Sequence, residues 1–306
     1  MLNLRHRLYI KRICNSVAFN IEIASYTTFK VGGKAWALCN INSMDTLKRL
    51  VIYIYKNHIP YIVLGNGSNV LISDKGYEGI IIRLQGEFKK IKRNNSSHKY
   101  ILLNVGAGVN ISHILAYCIK ENIGGLEFLS GIPGTIGGAT IMNAGAFGKT
   151  LGNKIEAITC IDNNGKLIKI NKSQLHFSYR KTNINSNFII TKVCLKLKPE
   201  DGDIVKEKVI SYHQIRSKSQ PLNYPNAGCI FKNPQGDYAG RLIETVGLKG
   251  KSVGGAMVSS KHANFIINIG NSKAEDILNL MKIITEKVKQ EKNIKLEPEI
   301  KLIGFG

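Results

Sequence analysis

Two glycine clusters place bare backbone where an anion could be held. Gly65 and Gly67 fall within Gly65-Asn66-Gly67-Ser68-Asn69, directly after an apolar run, and Gly131, Gly134, Gly137 and Gly138 fall within Gly131-Ile-Pro133-Gly-Thr-Ile-Gly-Gly-Ala139. Glycine has no Cβ and reaches positive φ, so successive N–H groups can curl around an anion without steric conflict. A diphosphate is the natural guest. Taken alone, the first cluster reads equally well as a tight turn. The second is more demanding: Pro133 fixes one φ and offers no donor, and its glycines give up chain entropy that a plain loop would keep. Two Gly-Lys-Thr/Ser triplets, at Gly148 and Gly250, are decoys, because Asn143 and Thr245 stand where a P-loop needs its earlier glycine. The first cluster is no Rossmann fingerprint either, since Val70 occupies the position where that turn needs glycine. The cysteines Cys14, Cys39, Cys118, Cys160, Cys194 and Cys229 lie far apart, with no CxxC or HExxH pattern. No metal is therefore expected.

The elements that must carry these clusters alternate along the chain. Branched apolar runs at Tyr61 to Leu64, Gly79 to Leu84 and Tyr100 to Val105 read as strands. Leu47, Leu50, Val51 and Ile54 repeat at helical spacing behind Ser43, and Ile111, Ile114, Leu115 and Cys118 do the same. Phe188 to Lys198 alternates apolar and polar residues, as a half-buried strand does. The Pro199-Glu-Asp-Gly-Asp203 run reads as a boundary, which predicts one domain over residues 1–200 and a second over 201–306. In the second, Ser272 and Glu275 form a capping-box pattern ahead of a helix, and a strand follows near Ile300 to Ile303.

A chain of 306 residues with 43% apolar content can build two cores without staples. Its net charge of +22 favours partners bearing phosphate or lipid head groups, yet the basic residues are dispersed, as in Lys89 to Lys99, and form no aromatic-rich nucleic-acid motif. No apolar run approaches membrane-spanning length. The segment Met1 to Ile13 carries Arg5, Arg7, Lys11 and Arg12, with no acid before Glu22, and lacks a secretory apolar region. It reads as a short helix on the first domain, with a basic surface or targeting helix as the other reading. Dispersed thiols in so long a chain point to a reducing compartment, hence to the cytoplasm.

An ordered series of motifs then carries a resemblance over nearly the whole chain. Thr27-Thr-Phe-Lys-Val-Gly-Gly33, Leu64-Gly-Asn-Gly-Ser-Asn-Val70, Gly131 to Ala139, Met142-Asn-Ala-Gly-Ala-Phe-Gly148, Ser178-Tyr-Arg180, Ala227-Gly-Cys-Ile-Phe-Lys-Asn-Pro234, His262-Ala-Asn-Phe-Ile-Ile-Asn268 and Leu296-Glu-Pro-Glu-Ile300 resemble the UDP-N-acetylenolpyruvoylglucosamine reductase family. The chain is similar to the compact subtype that lacks the tyrosine-loop insertion. The resemblance implies an α+β fold: a two-subdomain FAD-binding domain of the vanillyl-alcohol-oxidase (PCMH) type plus a smaller α+β substrate-binding domain. It implies non-covalent FAD, its diphosphate held by Gly65, Asn66, Gly67, Ser68, Asn69, Gly131, Pro133, Gly134, Gly137, Gly138 and Ala139. It also implies NADPH as reductant and a UDP-linked enolpyruvyl sugar as substrate, reduced to UDP-N-acetylmuramate for the cell wall.

By the same resemblance Arg180 stabilises the developing enolate, Cys229 stands where the proton donor is usually serine, and Glu299 assists the proton path, with Glu297 as the alternative if the register slips. Lys232 and Asn233 follow Cys229 by three and four residues, near enough to grip the UDP part, and Tyr179 is also expected to hold substrate. An ordinary turn ending in Asn233-Pro234 reads the same from sequence. A thiol with a reference pKa near ~8.5 is mostly protonated at neutral pH and far more acidic than a hydroxyl, so the exchange at Cys229 is chemically sound. Thr182 stands where serine is usual. The implied enzyme is expected to be a monomer with no nucleic-acid partner and no membrane span. Two other readings remain at this stage: another flavin oxidoreductase acting on a different small alcohol or acid, and a basic nucleic-acid binder without a chromophore.

Overall fold

Helix Met44–Lys56 shows how the pattern becomes structure. Ser43 accepts the Thr46 N–H on its hydroxyl, Leu47, Leu50, Val51 and Ile54 are buried, and Asp45 and Arg49 stay outside. In the computed structural model the described residues are 2–96 and 99–305. Met1, Ser97, His98 and Gly306, and with them parts of the Met1–Ile13 and Lys89–Lys99 segments, lie outside the described residues.

The chain forms two compact units, the first from residues up to Phe19, Ala37–Gly65 and Gly79–Ile215, the second from Asn20–Trp36, Asn66–Glu78 and Arg216–Gly306. A single cut at residue 200 does not describe this division. The Pro199-to-Asp203 run is no linker: the Asp201 carboxylate accepts the N–H groups of Asp203 and Ile204 and so starts the helix Gly202–Ser219. Two early segments join the second unit through pairings that local sequence does not announce.

One sheet runs in the order Val17–Glu22, Lys34–Ile41, Tyr77–Leu84, Tyr61–Val63, its last two strands parallel. A second sheet, in the first unit, is antiparallel in the order Leu167–Asn171, Ile155–Ile161, Ile189–Pro199, Ile101–Gly106, Ile91–Ser96, with Ile123–Gly124 paired to the end of the central strand. The central strand has the expected alternation: Val193, Leu195 and Leu197 are buried while Lys192, Lys196 and Lys198 face out.

In the second unit Ser252–Val253, Ala256–Val258 and Ile266–Asn268 form an antiparallel sheet, and Lys301–Ile303 pairs in parallel with Val70–Ile72. Helix Ala274–Lys292 buries Ile277, Leu280, Met281, Ile284 and Val288 in a core that also takes Phe29, Val31 and Leu71 from the early segments. Its cap lies one residue later than the sequence suggests. Asp276 accepts the Lys273 N–H at 2.9 Å, and Asp74 accepts the N–H groups of Ala274 and Glu275 at 2.9 and 3.0 Å. The distant carboxylate at Asp74 takes the place that the Ser272 and Glu275 pattern was read to fill.

Among the described residues no helix is long and apolar enough to cross a membrane, and no group of three His, Cys, Asp or Glu could hold a metal ion.

Candidate active site

In the first unit Gly65, which opens the first glycine cluster, approaches the second cluster. A Cβ at Gly65 would lie 2.6 Å from Thr135 Oγ1 and 3.2 Å from its Cγ2, so a bare backbone at Gly65 is what lets it approach the second cluster. Thr135 caps the helix Ile136–Ile141 by accepting the Gly138 N–H at 3.3 Å. The second cluster is therefore a loop only as far as Thr135, with Gly137, Gly138 and Ala139 inside the helix that follows.

These helical positions serve different ends. Gly137 is a packing glycine: its Cβ would strike the Ala107 Cβ at 2.9 Å and carbonyl at 3.0 Å, and its N–H donates to that carbonyl at 2.9 Å. Ala139 is buried and its N–H donates to the Thr135 carbonyl. Gly138 is exposed, and a Cβ there would meet only Thr135 Oγ1, at 3.6 Å. Gly131 and Gly134 have φ of +72° and +155°, and Pro133 is exposed between them. An open surface of bare backbone beside Thr135 is what a phosphate-bearing cofactor requires.

The first unit also presents Arg180. Phe177–Ser178 and Lys181–Thr182 pair as a hairpin whose two-residue turn is Tyr179 and Arg180, with Arg180 at φ +55°. Left-handed backbone at a residue other than glycine, asparagine or aspartate costs of order 1 kcal/mol, so the side chain is kept there against the conformation. The guanidinium lies 5.3 Å from the Tyr179 ring centroid, and its Nη1 donates to the Gly145 carbonyl at 3.4 Å. The turn is clamped by buried Asn143, whose Nδ2 donates to the Ser178 carbonyl at 2.9 Å while its Oδ1 accepts the Gly152 N–H at 2.9 Å. Nearby in sequence, the Thr182 hydroxyl is buried without a hydrogen-bond partner.

The second unit gathers Asn69, Cys229, Lys232 and Glu299. Gly228 has φ +76° and donates its N–H to Asn226 Oδ1, which presents the half-buried Cys229. Immediately after it, buried Asn264 accepts the Phe231 N–H on Oδ1 at 2.9 Å and donates from Nδ2 to the Phe231 carbonyl at 2.8 Å, while its own carbonyl accepts the Ile230 N–H. On the other side Glu299 N–H donates to the Ile230 carbonyl at 2.7 Å, Phe231 bridges Pro298, and Lys232 N–H donates to the Glu297 carbonyl at 2.8 Å. Cys229 and Glu299 thus belong to adjacent segments.

Asn69 joins them. Its Nδ2 donates to the Glu299 carbonyl at 3.3 Å and its carbonyl accepts the Lys301 N–H at 3.0 Å. Gly67 has φ +63°, and a Cβ there would meet the Tyr26 carbonyl oxygen at 2.2 Å. Its carbonyl accepts the Thr28 N–H at 3.1 Å, so the Thr27-to-Gly33 motif grips this loop, with Asn66 and Ser68 on either side of Gly67. Lys232 Nζ lies 3.2 Å from Glu297 Oε2, which engages the more exposed of the two glutamates, and Asn233 Oδ1 accepts the Ala239 N–H at 3.1 Å as part of the start of helix Ala239–Thr245. The Asn233 side-chain oxygen is thereby committed to the fold, a task that sequence alone leaves undistinguished from substrate contact.

The remaining thiols sit elsewhere. Burial pushes Cys118 and Cys160 up to about 12, and burial also raises Cys194. The ring of His262, beside Phe265, is held below its usual range by burial, and its Nδ1 accepts the Asn264 N–H. That neutral imidazole orients the Asn264 clamp.

Two family models match the chain: residues 220–303 match the UDP-N-acetylenolpyruvoylglucosamine reductase C-terminal domain, and residues 37–171 match an FAD binding domain. Both glycine clusters lie inside the flavin-domain match. Among curated relatives, UDP-N-acetylenolpyruvoylglucosamine reductase of Clostridium botulinum (strain 657 / Type Ba4) is 39% identical over 95% of this chain and 93% of its own length. That of Clostridium novyi (strain NT) is 40% identical over 93% of this chain and 91% of its own. The crystal structure of UDP-N-acetylenolpyruvylglucosamine reductase from Thermus caldophilus matches with a TM-score of 0.78 and 35% identity, covering 94% of this chain and 98% of that one.

Proposed function

The chain belongs to the UDP-N-acetylenolpyruvoylglucosamine reductase family and is an FAD-dependent oxidoreductase, and from that premise we propose that it reduces the enolpyruvyl ether of a UDP-linked N-acetylglucosamine with NADPH. The product is UDP-N-acetylmuramate for peptidoglycan, made in the cytoplasm. When FAD is bound and reduced by NADPH, it would supply the hydride.

The reaction adds hydride to the methylene carbon of the enol ether and a proton to its neighbour, with negative charge shared between that neighbour and the carboxylate in between. In this reading Arg180 pairs with the carboxylate and steadies the charge, since its guanidinium stays protonated at any working pH. The Cys229 thiol delivers the proton to carbon, and Glu299 orients the proton path. Tyr179 and Lys232 contact the substrate, with Asn233 beside Lys232 donating from its Nδ2. The glycine clusters, with Asn66, Ser68, Asn69 and Pro133, hold the FAD diphosphate. The second unit binds the sugar nucleotide.

One observation carries the proposal: the Glu299 amide bound to the Ile230 carbonyl sets a carboxylate-bearing segment against the one that presents the thiol. Its test is the visible spectrum of the purified protein, followed by NADPH oxidation with and without the enolpyruvyl nucleotide. A yellow protein whose NADPH consumption rises on adding that nucleotide and yields the lactyl ether is expected. A flavoprotein indifferent to the nucleotide would overturn the substrate assignment while leaving the flavin in place.

A further inference from the structure

The net charge of +22 finds no use in the chemistry above, and neither does the helix Leu4–Ile13. That helix is capped by Asn3, whose side chain accepts the His6 N–H, and it docks through buried Ile10, through Tyr9 stacked on Tyr53 at 3.8 Å between ring centroids, and through His6 Nδ1 at 2.9 Å from the Tyr53 hydroxyl. Its outer face is unusual. Leu4 and Leu8, one helical turn apart, are 68% and 60% exposed among the described residues. Arg7 and Lys11 run along one side of this pair and Arg5 and Arg12 along the other, all exposed, and the first turn holds no acid.

We propose that this face is an interfacial anchor for an anionic lipid surface, with Leu4 and Leu8 inserted among the acyl chains and Arg5, Lys11 and Arg12 reaching the head groups. A pair of leucines flanked on both sides by long cationic side chains is the arrangement by which a helix lies in the interface plane. The charge of the whole chain draws it to the same surface. Arg7 stays with the protein, its guanidinium 4.7 Å from the Phe19 ring centroid, and fixes the helix to its unit.

Other occupants fit less well. A second copy would bring four like charges against four, and a stable protein interface needs on the order of 1,000 Å², more than two leucines on a ten-residue helix present. A lipid surface needs only that the leucines enter it.

The test is co-sedimentation of the full-length protein with phosphatidylglycerol-containing vesicles and with pure phosphatidylcholine vesicles, at low and high salt. Binding to the anionic vesicles alone, reversed by salt, is expected. Leu4→Ser with Leu8→Ser should weaken it about tenfold or more, and replacing Arg5, Lys11 and Arg12 by Gln should weaken it about a hundredfold, at roughly fivefold per charge. All these side chains are exposed, so circular dichroism and NADPH turnover should be unchanged in both variants. Absence of anionic-vesicle binding, full binding by the leucine variant, or a dimer in sedimentation velocity that depends on Leu4 and Leu8 would each overturn the proposal.

Discussion

The Glu299 amide donates to the Ile230 carbonyl at 2.7 Å, one residue beyond Cys229. With the Phe231–Pro298 bridge and the bond from Lys232 N–H to the Glu297 carbonyl, it fixes the register of two segments that lie far apart in sequence. A slip of one residue would exchange the half-buried Glu299 for a neighbour.

Replacing Cys229 by Ala should leave flavin reduction by NADPH at its normal rate and slow turnover of the enolpyruvyl nucleotide by about 10²–10⁴-fold, the range for a lost general acid. Cys229→Ser should restore most of the rate. Stopped-flow measurement of the two half-reactions separates them, and equal loss in both would remove Cys229 from the proton step.

At Arg180 conformation and chemistry pull apart. Arg180→Gly relieves the left-handed backbone at φ +55° and should raise stability by up to about 1 kcal/mol while reducing kcat by orders of magnitude. Thermal melts and steady-state rates on one preparation check both halves. Arg180→Lys keeps the charge and should recover only part of the rate, because an ammonium cannot bind a carboxylate in two places.

Asn264 holds Phe231 by both its N–H and its carbonyl. Asn264→Ala strands two buried backbone groups at about 1–3 kcal/mol each and should lower unfolding free energy by about 3 kcal/mol, read by denaturant titration. Activity should fall with it, since the same clamp positions the segment after Cys229.

The two glycine clusters predict opposite signs. Gly138→Ala meets no close atom and replaces a helical glycine, so the flavin-free protein should gain about 1 kcal/mol while FAD affinity falls about tenfold or more. Gly65→Ala forces Thr135 to move and should lower both. Flavin titration by fluorescence gives the affinities, and unchanged affinity in Gly138→Ala would exclude that position from the cradle.

Glu200 gives a pH dependence. Burial alone would raise its carboxyl, but hydrogen bonds from Lys198 and Lys208, both at 2.7 Å, and the charges of these lysines outweigh it and hold the group at about 2. A depressed carboxylate stabilises the fold above its unfolded value near ~4.3 and ceases to as pH falls through about 2. Glu200→Gln should therefore cost about 1 kcal/mol at neutral pH, the lysines being partly exposed, with the difference from the parent vanishing near pH 2.

Much of the fold was legible where one physical rule acted alone. Ser43 and the leucines behind it give their helix because cap and stripe agree, and the Phe188-to-Lys198 alternation gives its strand. Helix Gly202–Ser219 was missed because only Gly202 and Val205 are buried while Ile204, Ile210 and Ile215 face outward, leaving no stripe to read. The short helix at Ile136 hides among glycines that lower its propensity.

The motifs single out Arg180, Cys229 and Glu299 as candidates and say nothing of the residues that hold their segments in place. Asn143 and Asn264 are buried amides whose worth depends on partners 35 and 33 residues away. The one available signal was a lone amide amid apolar residues, as in His262-Ala-Asn-Phe-Ile-Ile, since such a group has to be satisfied.

Phe29, Val31 and Leu71 lie in the same apolar core as Ile277 and Leu280. On the ribosome these early side chains emerge long before the helix that will cover them, and they stay exposed until the last third of the polypeptide has been made. A fragment beginning at residue 201 would conversely lack the strand Val70–Ile72 and leave Lys301–Ile303 as an open edge. Separate expression of that fragment should give an aggregating product, and adding residues 20–36 and 66–78 in a rearranged chain is the way to make it fold.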